Sequence, residues 1–382
     1  PQPQPGAIPP KGGLPVEPPP TTVKQMLTAT RMNFQCKNKT PDQALELLEQ
    51  QIGYSLRPPA EEGAQLGHGK INIDDQNQSL LSVIQHICQQ GDLVISRSAS
   101  RVESSIVVNS RAMEGSDCFY PKLNDSSIMP IVSRLSTTSF RNEGRRLNVT
   151  ISFVTEPKVY VIGYYRGNYL DSATDDQNRN LLPPPNAPGI GMMRVMGSGF
   201  QTADGVNIYT SINYPTAPAV AVKRLRGSVK VMLGLNVTPR DLSSALKGGE
   251  TASLPFLKNN NIIFSDFDID TKDPHGYVMT MSVPRIQLPG GMMVEQSPDL
   301  QRLHFEAIDG ENKKWRVRKS GPRITDPKIA KFTINLHPLA EDGLEDKRYK
   351  PPVKFSVLIP AKTEDVTIPF EFNDLPVPAV PK

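Results

Sequence analysis

The stretch "INIDDQNQSLLSVIQHICQQGDLVI", residues 71–95, admits two readings. Asp74, Asp75, His86 and Cys88 all carry side chains that bind metals. Alternatively, the stretch is a strand, a capped helix and a second strand. An internal repeat decides between them. Set beneath "MNFQCKNKTPDQALELLEQQIGYSL" (32–56), it brings Asn33 over Asn72, Phe34 over Ile73, Asn38 over Asn77 and Thr40 over Ser79. Leu45 then falls over Ile84, Leu48 over Ile87, and Gln50-Gln51 over Gln89-Gln90, with a one-residue slip before Gly53 and Gly91.

Both copies carry the same helix signals. Thr40 can N-cap the first helix, with Pro41 at its first position and Gln43 completing a capping box; Ser79 caps the second. Ala44, Leu45, Leu48 and Ile52 make one apolar stripe, and Leu80, Ile84, Ile87 and Cys88 the other. Gly53 and Gly91 are expected in the left-handed conformation that closes a helix. An alternating run, "VESSIVVN", follows at 102–109.

Within this frame Cys88 falls on or beside the buried stripe, and His86 lies about 160° around the helix from Ile84. Asp74-Asp75 stand where the first copy has Gln35-Cys36, so the carboxylates are no constant of the unit. The expectation is a core cysteine and two solvated carboxylates. With these features, residues 30–112 resemble the short N-terminal (STN-like) domain of secretins and TonB-dependent receptors. That resemblance implies a module that packs into rings or binds partner proteins and is not catalytic. The loop "RPPAEEGAQLGHGK" (57–70) is longer than the minimal link between units.

From about residue 116 the apolar period becomes two. "LNVTISFV" (147–154) places Leu147, Val149, Ile151 and Phe153 on one face and Asn148, Thr150 and Ser152 on the other. "GSVKVMLGLNV" (227–237), "YVMTMSV" (277–283), "AKFTINL" (330–336), "VKFSVLI" (353–359) and "VTIPFEF" (366–372) repeat the habit. Half-buried strands between Gly, Asp and Asn turns predict antiparallel sandwiches. "DSATDDQNRNLL" (171–182) and "FEAIDGENKKWRV" (305–317) both read as strand, Asp-rich turn, strand.

The expected class is therefore α+β: a secretin-like βαβ-repeat domain at 29–115, then two antiparallel Ig-like β-sandwiches at 116–240 and 250–373. "SSALKGGETASL" (243–254) is expected to be a flexible joint between them. The segments "EPKVYVIG", "DDQNRN", "RLRGSVKV" and "PFEFNDLPVP" resemble large uncharacterised families of exported planctomycete envelope proteins. That resemblance implies export and an envelope or surface role, and brings no active site.

Composition sets the outer limits. The 37 prolines are spread along the chain and are densest in an N-terminal arm, "PQPQPGAIPPKGGLPVEPPP", and in a short tail. Residues 1–28 are expected to be extended, and 374–382 a proline-rich end. A net charge of +4 gives no general pull toward nucleic acid or anionic membrane. No apolar run is long enough to span a bilayer. Cys36, Cys88 and Cys118 fit neither a disulfide framework nor a zinc spacing. The chain opens at Pro1 rather than methionine, and the expectation is a processed, exported protein of the periplasm, outer membrane or cell surface.

Candidate sites are few. "SDFDIDTKDPHG" (265–276) offers Asp266, Asp268, Asp270 and Asp273 as a calcium candidate. Carboxylates alternating along a strand lie ~7 Å apart and cannot share an ion without a bulge. "NKKWRVRKSGPR" (312–323) surrounds Trp315 with Lys313, Lys314, Arg316, Arg318, Lys319 and Arg323. Alternation places Arg316 and Arg318 opposite Trp315 and Val317, whereas single-stranded nucleic acid needs aromatics among the charges. A basic face of this kind suits an acidic neighbour, a lipid head group or a wall polymer.

The five histidines sit in unrelated contexts, and there is no Gly-x-Ser-x-Gly elbow. No cofactor is expected. Contact residues are sought in the arm (Pro1, Pro3, Pro5, Pro9, Pro10), in the tail, and in the 183–200 loop at Met192 and Met193. The expected protein is a non-enzymatic structural subunit of an oligomeric bacterial envelope or surface assembly. It would associate with itself or other envelope proteins through the arm and the sandwich edges. The alternative is a monomeric binding module for a polysaccharide or a receptor.

Overall fold

A computed structural model describes residues 20–53, 56, 66–96, 106–110, 118–121, 126–140, 144–165, 167–184, 200–202, 206–247, 255–259, 261–271, 273–287, 293–295, 304–311, 314–320, 323–338 and 350–378. It is mostly β-sheet, in several antiparallel sheets.

A short helix α1 (Val23–Leu27) opens the described chain. The repeat then gives β1 (Arg31–Lys39), α2 (Pro41–Ile52), β2 (Ile71–Ser79), α3 (Leu80–Gly91), β3 (Leu93–Ser96) and β4 (Val107–Ser110). β1 pairs antiparallel with β2, and Gln35 lies opposite Asp74, its own counterpart in the repeat. The pairs Phe34–Asp75 and Cys36–Ile73 exchange under the same half-turn, so the duplication folds as a pseudo-dyad.

Hydrogen bonds obey that symmetry. Asn33 Oδ1 accepts from the Asn77 N–H at 2.7 Å, and Asn72 Oδ1 accepts from the Asn38 N–H at 2.8 Å. Asn38 and Asn77 are both left-handed, a conformation asparagine tolerates. At the outer edges, Gln51 Nε2 donates to the Asn33 carbonyl at 3.0 Å and Gln90 Oε1 accepts from the Asn72 N–H at 3.1 Å. The polar residues aligned by the repeat thus hold the two strands at corresponding places.

Thr40 and Gln43 form the expected capping box, and Ser79 caps α3. Gly53 is left-handed, with φ 80°. Gly91 is not. It is the last residue of α3, and Asp92 takes the left-handed position. A Cβ on Gly91 would stand 2.8 Å from the Pro41 ring, so this glycine lets the two helices approach.

The first β unit holds β5 (Ile128–Phe140), β6 (Gly144–Thr155), β7 (Val161–Tyr165), β8 (Leu170–Asp175), β9 (Phe200–Thr202), β10 (Val206–Asn213) and β11 (Ala221–Asp241). The second adds a short helix α4 (Pro255–Asn259), then β12 (Ile263–Asp270), β13 (Asp273–Gln287), β14 (Met293–Glu295), β15 (His304–Asp309) and β16 (Lys314–Lys319). It closes with β17 (Arg323–Asp326), β18 (Ile329–Pro338) and β19 (Pro352–Pro376).

One sheet has the order β10-β6-β5; a twelve-stranded sheet has the main path β12-β13-β18-β16-β15-β19-β11-β7-β9. The predicted face of Leu147, Val149, Ile151 and Phe153 is buried against β11 and β19. The other face of that sheet contributes Met129, Ile131 and Val154 to the N-terminal core, which joins the N-terminal unit to the first β unit.

Strand pairings recur between the two β units. β5-β6-β10 corresponds to β12-β13-β18, and β8 on β11 to β15 on β19. The two Asp-rich turns match as well. Asp175 Oδ1 accepts from the Gln177 N–H at 3.0 Å, and Asp309 Oδ1 from the Glu311 N–H at 2.8 Å.

The expected boundaries need correction. "VKFSVLI" and "VTIPFEF" are not separate strands: β19 runs unbroken for 25 residues. It pairs with β11 from Ala221–Pro376 to Asp241–Ser356. Phe355 and Val357 lie in the second core, whereas Ile368, Phe370, Phe372 and Leu375 lie in the first. The end of the chain therefore belongs to the first β unit. The extended backbone continues through "PAKTED" (360–365), still paired with β11, and that polar stretch bridges the two cores instead of turning.

Three other expectations change. Residues 23–27 of the arm are helical, with Thr22 and Gln25 forming a capping box and Met26 buried in the first core. The tail is held internally: the Val377 N–H donates to the Val220 carbonyl, and Tyr214 Oη to the Pro378 carbonyl at 3.0 Å. The joint begins with a 3-10 turn, Ser243–Lys247, whose Ala245 is buried in the second core.

Candidate functional site

The quartet of the opening stretch does not converge. His86 Nδ1 lies 2.8 Å from Asp75 Oδ2, and that carboxylate is only 12% exposed, so the expectation of two solvated acids holds for Asp74 alone. Amide donation from Gln76 and Gln35 holds the Asp74 carboxyl below its usual range. Cys88 is fully buried, and burial pushes the Cys36 thiol up. Among the described residues, no three His, Cys, Asp or Glu side chains gather as metal ligands.

The acidic run does contain a bulge. The β12–β13 register shifts between Ser265 and Asp268, and Asp266 has φ 57°. Its carboxylate accepts from the Ser265 hydroxyl at 2.9 Å, and Asp268 Oδ1 accepts from the Ile269 N–H at 2.7 Å. Asp273 opposes Asp270 in the register, and its side chain lies outside the described residues. β12 is a sheet edge, and acids with a bulge keep other strands off it.

β16 is an interior strand, between β15 and β18, so it has no edge to offer. Trp315 and Val317 are buried as expected. Arg316 and Arg318 oppose His337 and Asn335, and their side chains lie outside the described residues. Pro1, Pro3, Pro5, Pro9, Pro10, Met192 and Met193 also lie outside them.

The buried acids serve the chain itself. Glu156 accepts from the Thr30 N–H at 3.0 Å and the Thr30 hydroxyl at 2.7 Å, with Lys158 Nζ 3.3 Å away. This cluster fixes the start of β1 to the end of β6. Asp175 also accepts from the Arg179 N–H at 2.8 Å and from Arg179 Nε at 2.7 Å. Burial alone would raise the Asp175 carboxyl, but the Arg179 and Gln177 contacts outweigh it and hold it below the ordinary 3.8.

A group depressed in the folded state contributes stability above its unfolded value and loses it as pH falls through the folded one. The stability gap between the wild type and Asp175→Asn is therefore expected to narrow as the pH falls from neutral through the ordinary 3.8 and on through the lower folded value. Urea midpoints across that range measure it; a gap independent of pH would contradict the assignment.

Sheet edges remain, and sequence reasoning did not choose among them. Gln51 and Gln90 clasp the outer edges of β1 and β2. Among the described residues, β19 from Lys362 onward pairs only with β11, and it carries Pro369 among Lys362, Glu364, Asp365, Glu371 and Asp374. β10 is different. Its eight residues, VNIYTSIN, hold no charge, proline or glycine.

Strand β10 uses its even-numbered residues toward β6. Among the odd ones, the Asn207 carbonyl accepts from Tyr164 Oη at 2.8 Å, and the Asn213 N–H donates to the Leu181 carbonyl at 2.8 Å. By that alternation the main-chain groups of Tyr209 and Ser211 point away from the sheet. Among the described residues, no strand pairs with them.

The Tyr209 side chain is 64% exposed, beside Thr150 in the register. The matching strand of the second unit, β18, has β16 on that same side. In the first unit, among the described residues, the corresponding stretch makes contacts at Asn180 and Leu181, just before Pro183 and Pro184.

Set against known proteins, the chain matches no family model, no curated protein and no solved structure. Among the described residues, no helix is long and apolar enough to cross a membrane.

Proposed function

We propose that the chain is a non-enzymatic structural subunit of an oligomeric, exported bacterial envelope or surface assembly, joined to its neighbours through sheet edges. The outer edge of β10 carries this reading: it is uncharged, and between the contacts at Asn207 and Asn213 its Tyr209–Ser211 stretch pairs with no strand among the described residues, where the counterpart β18 carries another strand. Edges not meant for pairing are usually guarded by charge, proline or a bulge, as β12 and the end of β19 are. No cofactor enters this role.

The same proposal extends to fold. The pseudo-dyad unit stands as an STN-like module that binds protein. The recurrent pairings stand as two Ig-like sandwiches sharing the β11–β19 ribbon, similar to those of exported planctomycete proteins. Internal use of Glu156, Asp175 and Asp309 supports a scaffold, since these acids hold loops and strands in place.

A second reading draws on the outward face around Tyr209, where Thr150 and the hydrogen-bonded Ser211–Asn148 pair lie beside an exposed ring. Such a face suits a polysaccharide bound by a monomer. Light scattering across a range of concentrations separates the two. A mass above one chain, rising with concentration, is expected; a single-chain mass throughout would overturn the structural reading and favour the binding module.

A further inference from the structure

We propose that β10 is the self-association strand, and that two copies of this chain join by antiparallel pairing of β10 with β10 about a dyad at Tyr209. This inference rests on the structural reading above and names its contact.

The first support is main-chain direction. Tyr209 and Ser211 point their amides and carbonyls outward, which is what an added antiparallel strand requires. With Tyr209 opposite its mate, the two residues exchange both main-chain bonds, and Asn207 comes opposite Ser211 on each side. The pairing would join two three-stranded sheets into one continuous sheet, β5-β6-β10-β10-β6-β5.

The second support is chemistry. A like-on-like contact brings every residue against its own kind, and any charge on β10 would face a like charge. β10 has none. β12, with Asp266, Asp268 and Asp270, would repel its own copy. The end of β19 carries charges of both signs already paired within the chain, as in Arg224–Glu371 and Lys223–Asp374.

The third support is Tyr209 itself. It is the most exposed aromatic side chain among the described large apolar residues. Among the described residues the first core is built without it, from Val206, Ile208 and Ile212 of the same strand. Across the proposed dyad the two rings lie on the same face of the joined sheet as a direct cross-strand pair, an arrangement that covers both.

Two variants of the full chain test this. Tyr209→Lys sets like charges against each other at the dyad on an exposed position, so folding is preserved and circular dichroism checks it. In a Cys118→Ser background, Tyr209→Cys places two thiols on facing strands at about 5.5 Å between Cα atoms, within disulfide reach. Asn213→Cys in the same background is the control, because the dyad separates those positions.

The expected result is a dimer that Tyr209→Lys returns to single-chain mass, and a disulfide-linked dimer with Tyr209→Cys that the control does not form. A higher-order mass unaffected by Tyr209→Lys, without the cross-link, would overturn this contact and leave the structural reading intact. A wild-type single-chain mass at all concentrations would overturn both.

Discussion

A chain ended after Lys362 is expected to lose the fold of its first β unit, although β5 to β11 remain whole. The removed residues include Ile368, Phe370, Phe372 and Leu375, all buried in the first core. Burying a large apolar side chain contributes about 1.5–3 kcal/mol. Four of them contribute about 6–12 kcal/mol, as much as the whole stability of an ordinary domain.

The loss also strips β11 of its β19 partner along Ala221–Gly234. Hydrogen exchange of the β6 amides is the readout. They should exchange freely in the shortened chain and recover protection when residues 362–378 are supplied as a peptide. Retained protection without the peptide would contradict the assignment of the chain's end to the first unit.

Gly227→Val is expected to destabilise the same unit by about 3 kcal/mol, at the upper end for forced overpacking. A Cβ at Gly227 would stand 1.9 Å from the Tyr169 carbonyl oxygen and 2.6 Å from the Phe370 ring. The nearest obstacle is backbone, and that carbonyl accepts from the Ser228 N–H at 2.9 Å, so relief by moving it breaks a strand contact. The β8–β11 register already shifts between Arg226 and Gly227, and the missing side chain is what lets the strands meet there.

Gly234 faces the Tyr160 ring rather than backbone, and Gly310 faces open space, so a graded series should follow. Gly227→Val should cost most and Gly310→Ala least. Urea unfolding midpoints rank them, and equal costs at Gly227 and Gly310 would refute the close-packing account.

Local signals carried far along this chain. The repeat at 32–56 and 71–95 placed the caps at Thr40 and Ser79, because capping depends on residues within one helical turn. It also aligned Asn33 with Asn72 and Gln51 with Gln90, though only the folded pair reveals that they hold each other's strands. Alternation placed the buried faces of β6 and β16 correctly for the same reason: period two is a local property of an extended backbone.

Partnership between distant segments was not legible. "VTIPFEF" reads as a strand of whichever unit is nearest in sequence, and only its pairing with β11 assigns Phe370 and Phe372 to the first core. Asp75 looked solvated because its partner His86 lies on the next element, at a distance no strand pattern encodes. Gly91 looked like a helix terminator, since its role against Pro41 depends on how two helices cross. α1 could have been found: Thr22 and Gln25 spell a capping box ahead of Met26 and Leu27.

At the candidate site the same division holds. Acids and arginines drew attention by type, yet β12 is guarded by its acids and β16 is enclosed by neighbouring strands. The open edge of β10 is conspicuous only beside its counterpart β18, a comparison that needs both folds.

Amide exchange within residues 206–213, followed at low and high protein concentration, tests the central claim most directly. If β10 pairs with a second copy, the outward amides of Tyr209 and Ser211 slow as concentration rises, while those of Ile208 and Thr210, already facing β6, stay as they were. Rates for Tyr209 and Ser211 that do not change with concentration would contradict it.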